Sequence, residues 1–324
     1  MNYNLMSGKT LLYVHGFASS GQSGTVSRLR TVLPEARVVA PDLPLHPAEA
    51  LDLLAETCSK EQPSLIIGTS MGGMMAEQLR GYDRILVNPA FEMGDTMAAH
   101  GMMGAQHFHN PRLDGVQDFI VTKALVKEYR QATEGCFIGC DDPLEQQRVY
   151  GLFGDEDPLV HTRPLFERHY SQAIGFHGEH RLDDHSFMNS VVPVIRWIDD
   201  RQERRQRPII YICIDSLRDT RGQARPSAQK AVRLLIENYA VYFVSPDSAD
   251  VAWIEQYMGV AAWHHTVFTH HPELLYGDYL ISTPPGPQLP GADAGLLAQR
   301  IEFGSAEMKT WDELITYFER LGGQ

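Results

Sequence analysis

A serine stands at the centre of the run Gly-Thr-Ser-Met-Gly, residues 68–72, which fits the pattern Gly-x-Ser-x-Gly. A strand-like run, residues 65–67, precedes it, and a helix-compatible run, residues 74–80, follows. In this pattern the serine occupies a sharp strand-to-helix turn, and glycine flanks it because larger side chains would clash with the neighbouring strand and helix. The pattern predicts Ser70 as the nucleophile of an acyl transfer, with a glycine-rich strand-to-helix connection as the alternative.

A serine nucleophile needs a carboxylate and a histidine later in the chain, each beyond the end of a later strand. The strand-like residues 149–153 run into Gly-Asp-Glu-Asp, and we choose Asp157 over its two acidic neighbours. Residues 178–185 contain both His180 and His185, which compete as the base. In this assignment the histidine takes the proton of Ser70, and Asp157 holds the imidazole in the productive tautomer.

Backbone amides should complete the site by stabilising the oxyanion. One is expected from Met71, directly after the nucleophile, and one from the loop that follows the first strand, residues 10–14. His15, Gly16 and Phe17 occupy that loop, and the Phe17 amide is the expected donor. A simple strand-terminating turn at His15 and Gly16 is the alternative.

The elements that must position these residues are short apolar runs typical of buried parallel strands. They lie at residues 10–14, 37–40, 65–68, 84–87, 149–153 and 173–176, and helix-like or loop-like stretches separate them. This alternation predicts an α/β domain. A long stretch rich in Met, His and Gly interrupts it, and we expect a cap at about residues 92–147 that sets substrate choice. Several of its apolar residues could line an acyl pocket or belong to the core: Met93, Met97, Met102, Met103, Phe108 and Phe119.

A polar stretch at residues 199–208 predicts a domain boundary. Strand-like and helix-like runs then alternate again, with strands at residues 209–214, 240–245 and 279–282 and helices at 227–237 and 249–258. The predicted fold class is therefore α/β throughout. An α/β-hydrolase domain with a cap insertion, residues 1–204, precedes a smaller Rossmann-like α/β domain, residues 205–324.

Composition limits the classes of function. The chain has 324 residues and a net charge of −13, which disfavours binding to nucleic acid or to an anionic membrane surface. Its four cysteines are too few and too scattered for a disulfide framework, and no run approaches 18 apolar residues. We expect a cytoplasmic protein that needs no cofactor. A metal site is not expected, because the cap histidines and the pair of cysteines at 136 and 140 lack partners at ligand spacing.

The first domain resembles the YqiA-like esterases, a family of small α/β-hydrolases implicated in ester and thioester hydrolysis, over roughly residues 8–200. Four runs carry the resemblance: H-G-F-x-S-S at 15–20, P-D-L-P-L-H-P at 41–47, G-T-S-M-G-G at 68–73 and V-N-P-A at 87–90. In that family a D-x-x-h segment supplies the acid, which matches Asp157, and G-x-H supplies the base, which matches His180. The family's H-A-F is broken here, because Arg181 follows His180 and the similar H-S-F begins at His185. We prefer His180, which keeps the spacing to the final helix closer, and retain His185 as the competing base.

The second domain, from about residue 207, resembles the nucleotidase-like branch of the haloacid dehalogenase superfamily. That family needs an Asp-x-Asp after its first strand, a later lysine and an acidic pair for Mg²⁺. Here the first position is Cys213 and the second Asp215, the acidic pair reads Ser282 and Thr283, and residues 269–275 contain no lysine. The departures predict a catalytically inactive module.

The sequence as a whole predicts a serine hydrolase that cleaves a small-molecule carboxylic ester or thioester through an acyl-enzyme. One alternative is a non-catalytic binding or scaffold protein, and another is a phosphatase acting through the C-terminal domain. That domain is expected to pack on the esterase domain or to present a surface for a partner or for homo-oligomerisation.

Overall fold

The computed structural model of the protein describes residues 4–260, 262, 265–284 and 298–322. The chain forms two compact units. The larger comprises Asn4–Phe187 and Val194–Asp199, and the smaller contains Met188–Pro193 and the described residues from Asp200 onward. Both units are α/β structures with parallel sheets.

Eight strands are described in the larger unit, and six of them coincide closely with the predicted apolar runs. The eight are β1 (Thr10–Val14), β2 (Arg37–Val39), β3 (Leu65–Thr69), β4 (Arg84–Val87), β5 (Gly104–His107), β6 (Asp118–Val121), β7 (Val149–Gly154) and β8 (Ala173–Phe176). Most residues of β1, β3, β4, β7 and β8 are buried, as expected for parallel strands covered on both faces. The antiparallel hairpin of β5 and β6 was not predicted.

The main sheet has the order β2-β1-β3-β4-β7-β8, and all of its strand pairs are parallel. From β1 the chain first adds β2 on one side of the sheet, and then adds β3 and the later strands on the other side. The direction in which strands are added therefore reverses between β1 and β3. At such a reversal a crevice opens beyond the carboxyl ends of the strands, where ligands of α/β proteins bind. The pairing of Val14 with Gly68 brings the ends of β1 and β3 side by side there.

Helices connect these strands. They are α1 (Gly24–Val32), α2 (Pro47–Glu61), α3 (Met71–Glu77), α4 (Met93–Ala99), α5 (Lys123–Thr133), α6 (Pro143–Gln146), α7 (Arg163–Phe166), α8 (Asp184–Ser186) and α9 (Val192–Gln202), with a π-helical turn at Phe187–Val191. Pro47 begins α2 at a position where no amide donor is needed, and α2 ends at Gln62 in the left-handed conformation. Helix α3 begins directly after Ser70 and is buried along its whole length.

Residues 92–147, predicted to form a cap, contain α4, β5, β6, α5 and α6. Helices α4 and α5 pack closely at Gly94, where a Cβ atom would lie 2.5 Å from the Arg130 side chain. The side chains of Met93, Met97 and Phe119 join the main hydrophobic core. The insertion is therefore anchored to the domain by its own apolar face.

A buried ion pair lies at the start of β4, a central strand of the main sheet. Arg84 is fully buried, and its guanidinium donates to Glu145 and to the backbone carbonyl of Glu77. Tyr170 in turn donates to the Glu77 carboxylate at 2.7 Å. These contacts satisfy a charge that would otherwise be costly to bury.

The smaller unit contains β9 (Ile209–Cys213), α10 (Ile214–Leu217), α11 (Ala228–Asn238), β10 (Ala240–Ser245), α12 (Asp250–Met258), β11 (Thr266–Phe268), β12 (Tyr279–Ser282), β13 (Gln299–Glu302) and α13 (Trp311–Gly322). Its parallel sheet has the order β11-β10-β9-β12-β13, a doubly wound Rossmann-like arrangement. Strands β11 and β13 were not predicted. None of the helices in the described part of the chain is long and apolar enough to cross a membrane.

Candidate active site

Ser70 occupies a strained turn between β3 and α3. Its φ of 56° and ψ of −121° lie in a sparsely populated region, which costs a non-glycine residue about 1–3 kcal/mol. Backbone hydrogen bonds hold the turn: the Ser70 amide donates to Val87, and its carbonyl accepts from the amides of Gly73 and Ala90. The strain is therefore offset by the surrounding structure, and the side chain is held at the carboxyl end of the sheet.

The glycines of the motif are required by close packing. A Cβ on Gly72 would lie 2.1 Å from the carbonyl oxygen of Val14, and one on Gly68 would lie 2.3 Å from the carbonyl oxygen of Gly72. Both distances are far below van der Waals contact. The pattern of glycines around Ser70 thus follows from how tightly β1, β3 and α3 pack at the turn.

His180 contacts both Ser70 and Asp157. Its Nδ1 lies 2.7 Å from Asp157 Oδ2, and its Nε2 lies 3.0 Å from Ser70 Oγ. Since a carboxylate can only accept, Nδ1 donates to Asp157, and in the neutral ring Nε2 accepts from the Ser70 hydroxyl. A hydroxyl, an imidazole and a carboxylate in this order can remove the proton of the hydroxyl as it attacks.

Asp157 is held in place by backbone donors. Its Oδ1 accepts from the amides of Leu159 at 2.8 Å and Val160 at 3.0 Å, which leaves Oδ2 for His180. Burial alone would raise the pKa of Asp157, but the hydrogen bonds from His180 and from the two amides outweigh burial and lower the pKa. The carboxylate is thus ionised and fixed in orientation.

The alternative candidates for the base and for the acid lie outside the contacts between Ser70, His180 and Asp157. His185 is exposed on α8, next to Asp183 rather than on Asp157. Of the two acidic neighbours of Asp157, Asp155 pairs with His177 at the surface, at 3.2 Å, and Glu156 lies exposed. The structure thus brings Ser70, Asp157 and His180 together and leaves the alternatives outside.

The amides expected to form an oxyanion site belong to Phe17 and Met71. Among the described residues, no acceptor is found for either of these amides. Gly16 allows the loop after β1 to approach Ser70, since a Cβ there would lie 3.4 Å from the Ser70 Cβ. His15 fixes this loop: its Nδ1 donates to the Gly16 carbonyl, its Nε2 accepts from the Leu43 amide, and burial lowers its pKa.

Asn88 joins the loops that carry the acid and the base, and sequence reasoning did not single it out. Its Oδ1 accepts from the Gly154 amide at 2.8 Å, and its Nδ2 lies 3.2 Å from the carbonyls of both Glu179 and His180. Asn88 is 2% exposed and has a φ of 44°, a conformation that Asn tolerates better than most residues. The available signal was an Asn-Pro dipeptide directly after a buried strand, which marks a turn.

A cavity of about 430 Å³ lies over the Ser70 side chain. Its size is within the range of small-molecule sites. Met93 and Met102 of the cap line it, together with Phe17 and His180. Of the other cap residues named from the sequence, Met97 and Phe119 are core, Phe108 packs against the core and Met103 is 42% exposed.

The smaller unit holds the residues predicted at its degenerate site. Cys213 ends β9, and burial raises the pKa of its thiol to about 12, so it is not a thiolate at neutral pH. Asp215 is exposed on α10 and accepts a hydrogen bond from Thr283, which follows β12. The described residues contain no group of three or more His, Cys, Asp or Glu side chains placed to hold a metal ion.

Several solved structures are similar to this chain. A monoacylglycerol lipase of Paleococcus ferrophilus is 16% identical with a TM-score of 0.42, and the similarity covers 59% of this chain and 94% of the lipase. One of the metagenome-derived lipolytic enzymes LipS and LipT is 17% identical, with a TM-score of 0.42 over 63% of this chain and 96% of that one. Est1E from Butyrivibrio proteoclasticus is 15% identical with a TM-score of 0.41, and the similarity covers 62% of this chain and 89% of Est1E.

Two sequence comparisons complete these findings. A protein of Vibrio phage KVP40 named "Putative 5'(3')-deoxyribonucleotidase" is 29% identical over 65 residues, which span 20% of this chain and 36% of the phage protein. Residues 10–149 match the model of the uncharacterised protein family UPF0227, a segment that holds Phe17, Ser70 and Asn88 but ends before Asp157 and His180.

Proposed function

We propose that this protein is a serine hydrolase that cleaves a carboxylic ester or thioester through an acyl-enzyme on Ser70. The observation that carries the proposal is the hydrogen-bonded chain from Ser70 Oγ through His180 to Asp157, beside the unpartnered amides of Phe17 and Met71. The cavity over Ser70 supplies the space for a substrate.

The reaction follows from these contacts. Ser70 Oγ attacks the ester carbonyl carbon while His180 Nε2 takes the hydroxyl proton, and the resulting oxyanion is stabilised by the amides of Phe17 and Met71. Collapse of the tetrahedral intermediate breaks the bond to the alcohol or thiol, which leaves with the proton from His180. Water, deprotonated by His180, then releases the carboxylic acid and regenerates Ser70.

Hydrolysis of p-nitrophenyl esters from acetate to decanoate tests the proposal, with wild type and the variants Ser70→Ala, His180→Ala and His185→Ala. Turnover should be lost with Ser70→Ala and His180→Ala and retained with His185→Ala, which is the matched histidine control. A fluorophosphonate probe should label wild type and leave Ser70→Ala unlabelled. Folded wild type that neither turns over esters nor reacts with the probe would support a binding or scaffold protein instead.

We propose further that the smaller unit is a non-catalytic module of the haloacid dehalogenase type. Its order of parallel strands and the position of Cys213 and Asp215 after β9 support this assignment. A nucleophilic aspartate is replaced by a neutral thiol there, and Ser282 and Thr283 offer no carboxylate for Mg²⁺. Release of phosphate from p-nitrophenyl phosphate with Mg²⁺, retained in Ser70→Ala, would contradict it.

A further inference from the structure

One wall of the cavity over Ser70 is the N-terminus of α1. Ser23, the residue before this helix, lines the cavity and is 6% exposed. Its buried Oγ makes no hydrogen bond of regular distance and angle, and its interaction with the Tyr13 hydroxyl falls outside that geometry. A buried hydroxyl without a regular hydrogen bond is uncommon, because the group has given up its bonds to water and gained none in return. A polar substrate group would satisfy it.

The first turn of α1 offers backbone donors in the same place. Helix α1 has nine residues, no acidic residue in its first turn and no side-chain cap. In the described structure no acceptor is seen for the amides of Gly24, Thr25 and Val26, whereas the Ser27 amide bonds back to Ser23. The space beside Gly24 is open. Free amides at the positive end of a helix favour a negatively charged group.

The charged residues of the cavity have one sign. Arg28, one turn along α1, and Arg181 line the cavity, and none of the described residues that line it is an Asp or a Glu. Arg28 donates to the Leu182 carbonyl at 3.1 Å and pairs with Asp184, whose side chain is 86% exposed and does not line the cavity. The cavity is therefore cationic in a chain whose net charge is −13.

This wall is connected to the nucleophile through Tyr13. The buried Tyr13 hydroxyl is 2.9 Å from Thr69 Oγ1, and Thr69 directly precedes Ser70. Burial raises the pKa of Tyr13, and the hydroxyls of Thr69, Thr25 and Ser23 oppose that effect. The Tyr13 phenol thus interacts both with hydroxyls at the start of α1 and with Thr69, the residue before Ser70.

We propose that the substrate carries an anionic group, a carboxylate or a phosphate, which binds at the start of α1 against Ser23 Oγ, the first-turn amides and Arg28. The proposal builds on the ester hydrolase function and adds its substrate class. The cationic wall selects the anionic substrate, while Ser70 and His180 perform the same reaction on any ester that enters.

Matched pairs of esters test the proposal. For a carboxylate, mono-4-nitrophenyl adipate is compared with its neutral methyl ester; for a phosphate, butyrylglycerol 3-phosphate is compared with butyrylglycerol. At least one anionic ester should be cleaved with a kcat/KM about tenfold or more above its neutral counterpart, the value of one charge-assisted contact. This preference should shrink as NaCl rises from about 20 to 500 mM. The pair that shows the preference identifies which anion binds.

Two arginines of α1 provide a matched control. Arg28→Gln should remove most of the preference for the anionic ester, measured as the ratio of the two kcat/KM values. Arg30→Gln makes the same charge change at an exposed position outside the cavity and should leave that ratio unchanged. Asp184→Asn should increase the preference, because it releases Arg28 from its partner. Ser23→Ala should raise the KM for the anionic ester by a larger factor than it lowers kcat.

The outcomes separate this proposal from the function on which it builds. Equal turnover of anionic and neutral esters, lost with Ser70→Ala, would keep the hydrolase and refute the anion site. If no ester is turned over, binding to Ser70→Ala is measured by calorimetry with monomethyl adipate, butyrylglycerol 3-phosphate and the neutral dimethyl adipate. Binding of either anion that is weakened by Arg28→Gln supports the anion site. Binding of neither anion refutes it.

Discussion

Asn88 connects the last residue of β7 with the loop that carries His180, so replacing it should loosen the geometry between Asp157 and His180. Asn88→Ala removes one hydrogen bond from the Gly154 amide and the contacts to two backbone carbonyls. The Gly154 amide, a buried donor left unsatisfied, accounts for about 1–3 kcal/mol, and alanine in the left-handed region costs about 1–2 kcal/mol more. We therefore expect a loss of about 2–5 kcal/mol in the free energy of unfolding.

The effect on catalysis can be separated from the effect on the backbone. A displacement of about 1 Å between reacting groups can cost about 100-fold in rate, so kcat for a p-nitrophenyl ester should fall by about 10–100-fold while KM changes little. Asn88→Gly is the matched control, because glycine adopts a φ of 44° without strain but also lacks the amide. Both variants should lose kcat equally, and only Asn88→Ala should carry the added strain.

The assay is steady-state hydrolysis beside urea unfolding of wild type and both variants. Wild-type kcat in Asn88→Gly, with the expected loss of stability, would refute the positioning role and leave Asn88 a structural residue. Equal unfolding free energies for the two variants would refute the contribution assigned to the left-handed backbone.

Other predictions concern the packing and charges around the site. Arg84→Ala should cost about 3–5 kcal/mol in urea unfolding, since it removes the fully buried guanidinium and leaves the Glu145 carboxylate to the Gly81 amide and to Arg148 at 3.7 Å. The double change Arg84→Met with Glu145→Leu should recover most of that loss, and an additive double variant would contradict the ion-pair argument. Gly72→Ala should abolish ester turnover and labelling of Ser70 because its Cβ would meet a β1 carbonyl at 2.1 Å, and an active variant would disprove the packing constraint. Burial lowers the pKa of His15 in the folded protein from the value of 6.5 that it has in the unfolded chain. As the pH falls below 6.5, the unfolded chain takes up a proton that the folded protein does not, so the stability that is present above pH 6.5 is lost. His15→Gln should flatten this dependence by up to about 1.4 kcal/mol per pH unit, and parallel curves of unfolding free energy for wild type and variant would show that His15 does not contribute.

The sequence by itself determined the α/β class and the positions of most strands, because buried parallel strands are written as short apolar runs between turns. The predicted and observed limits agree at β1, β4, β8, β10 and β12. The hairpin of β5 and β6 was missed because its residues are mostly exposed and its pattern is short. Its strands are stabilised by pairing with each other, which no local pattern reveals.

The nucleophile could also be predicted from the sequence, because the steric demand for glycine on both sides of Ser70 is local and leaves a motif. The preference for His180 over His185 rested on the family spacing alone, since both follow the same strand within a few residues, and the folded loop decides which imidazole meets Asp157. The role of Asn88 was invisible for the same reason: its partners lie 66 to 92 residues away in the chain. The tertiary structure alone brings them within hydrogen-bond distance.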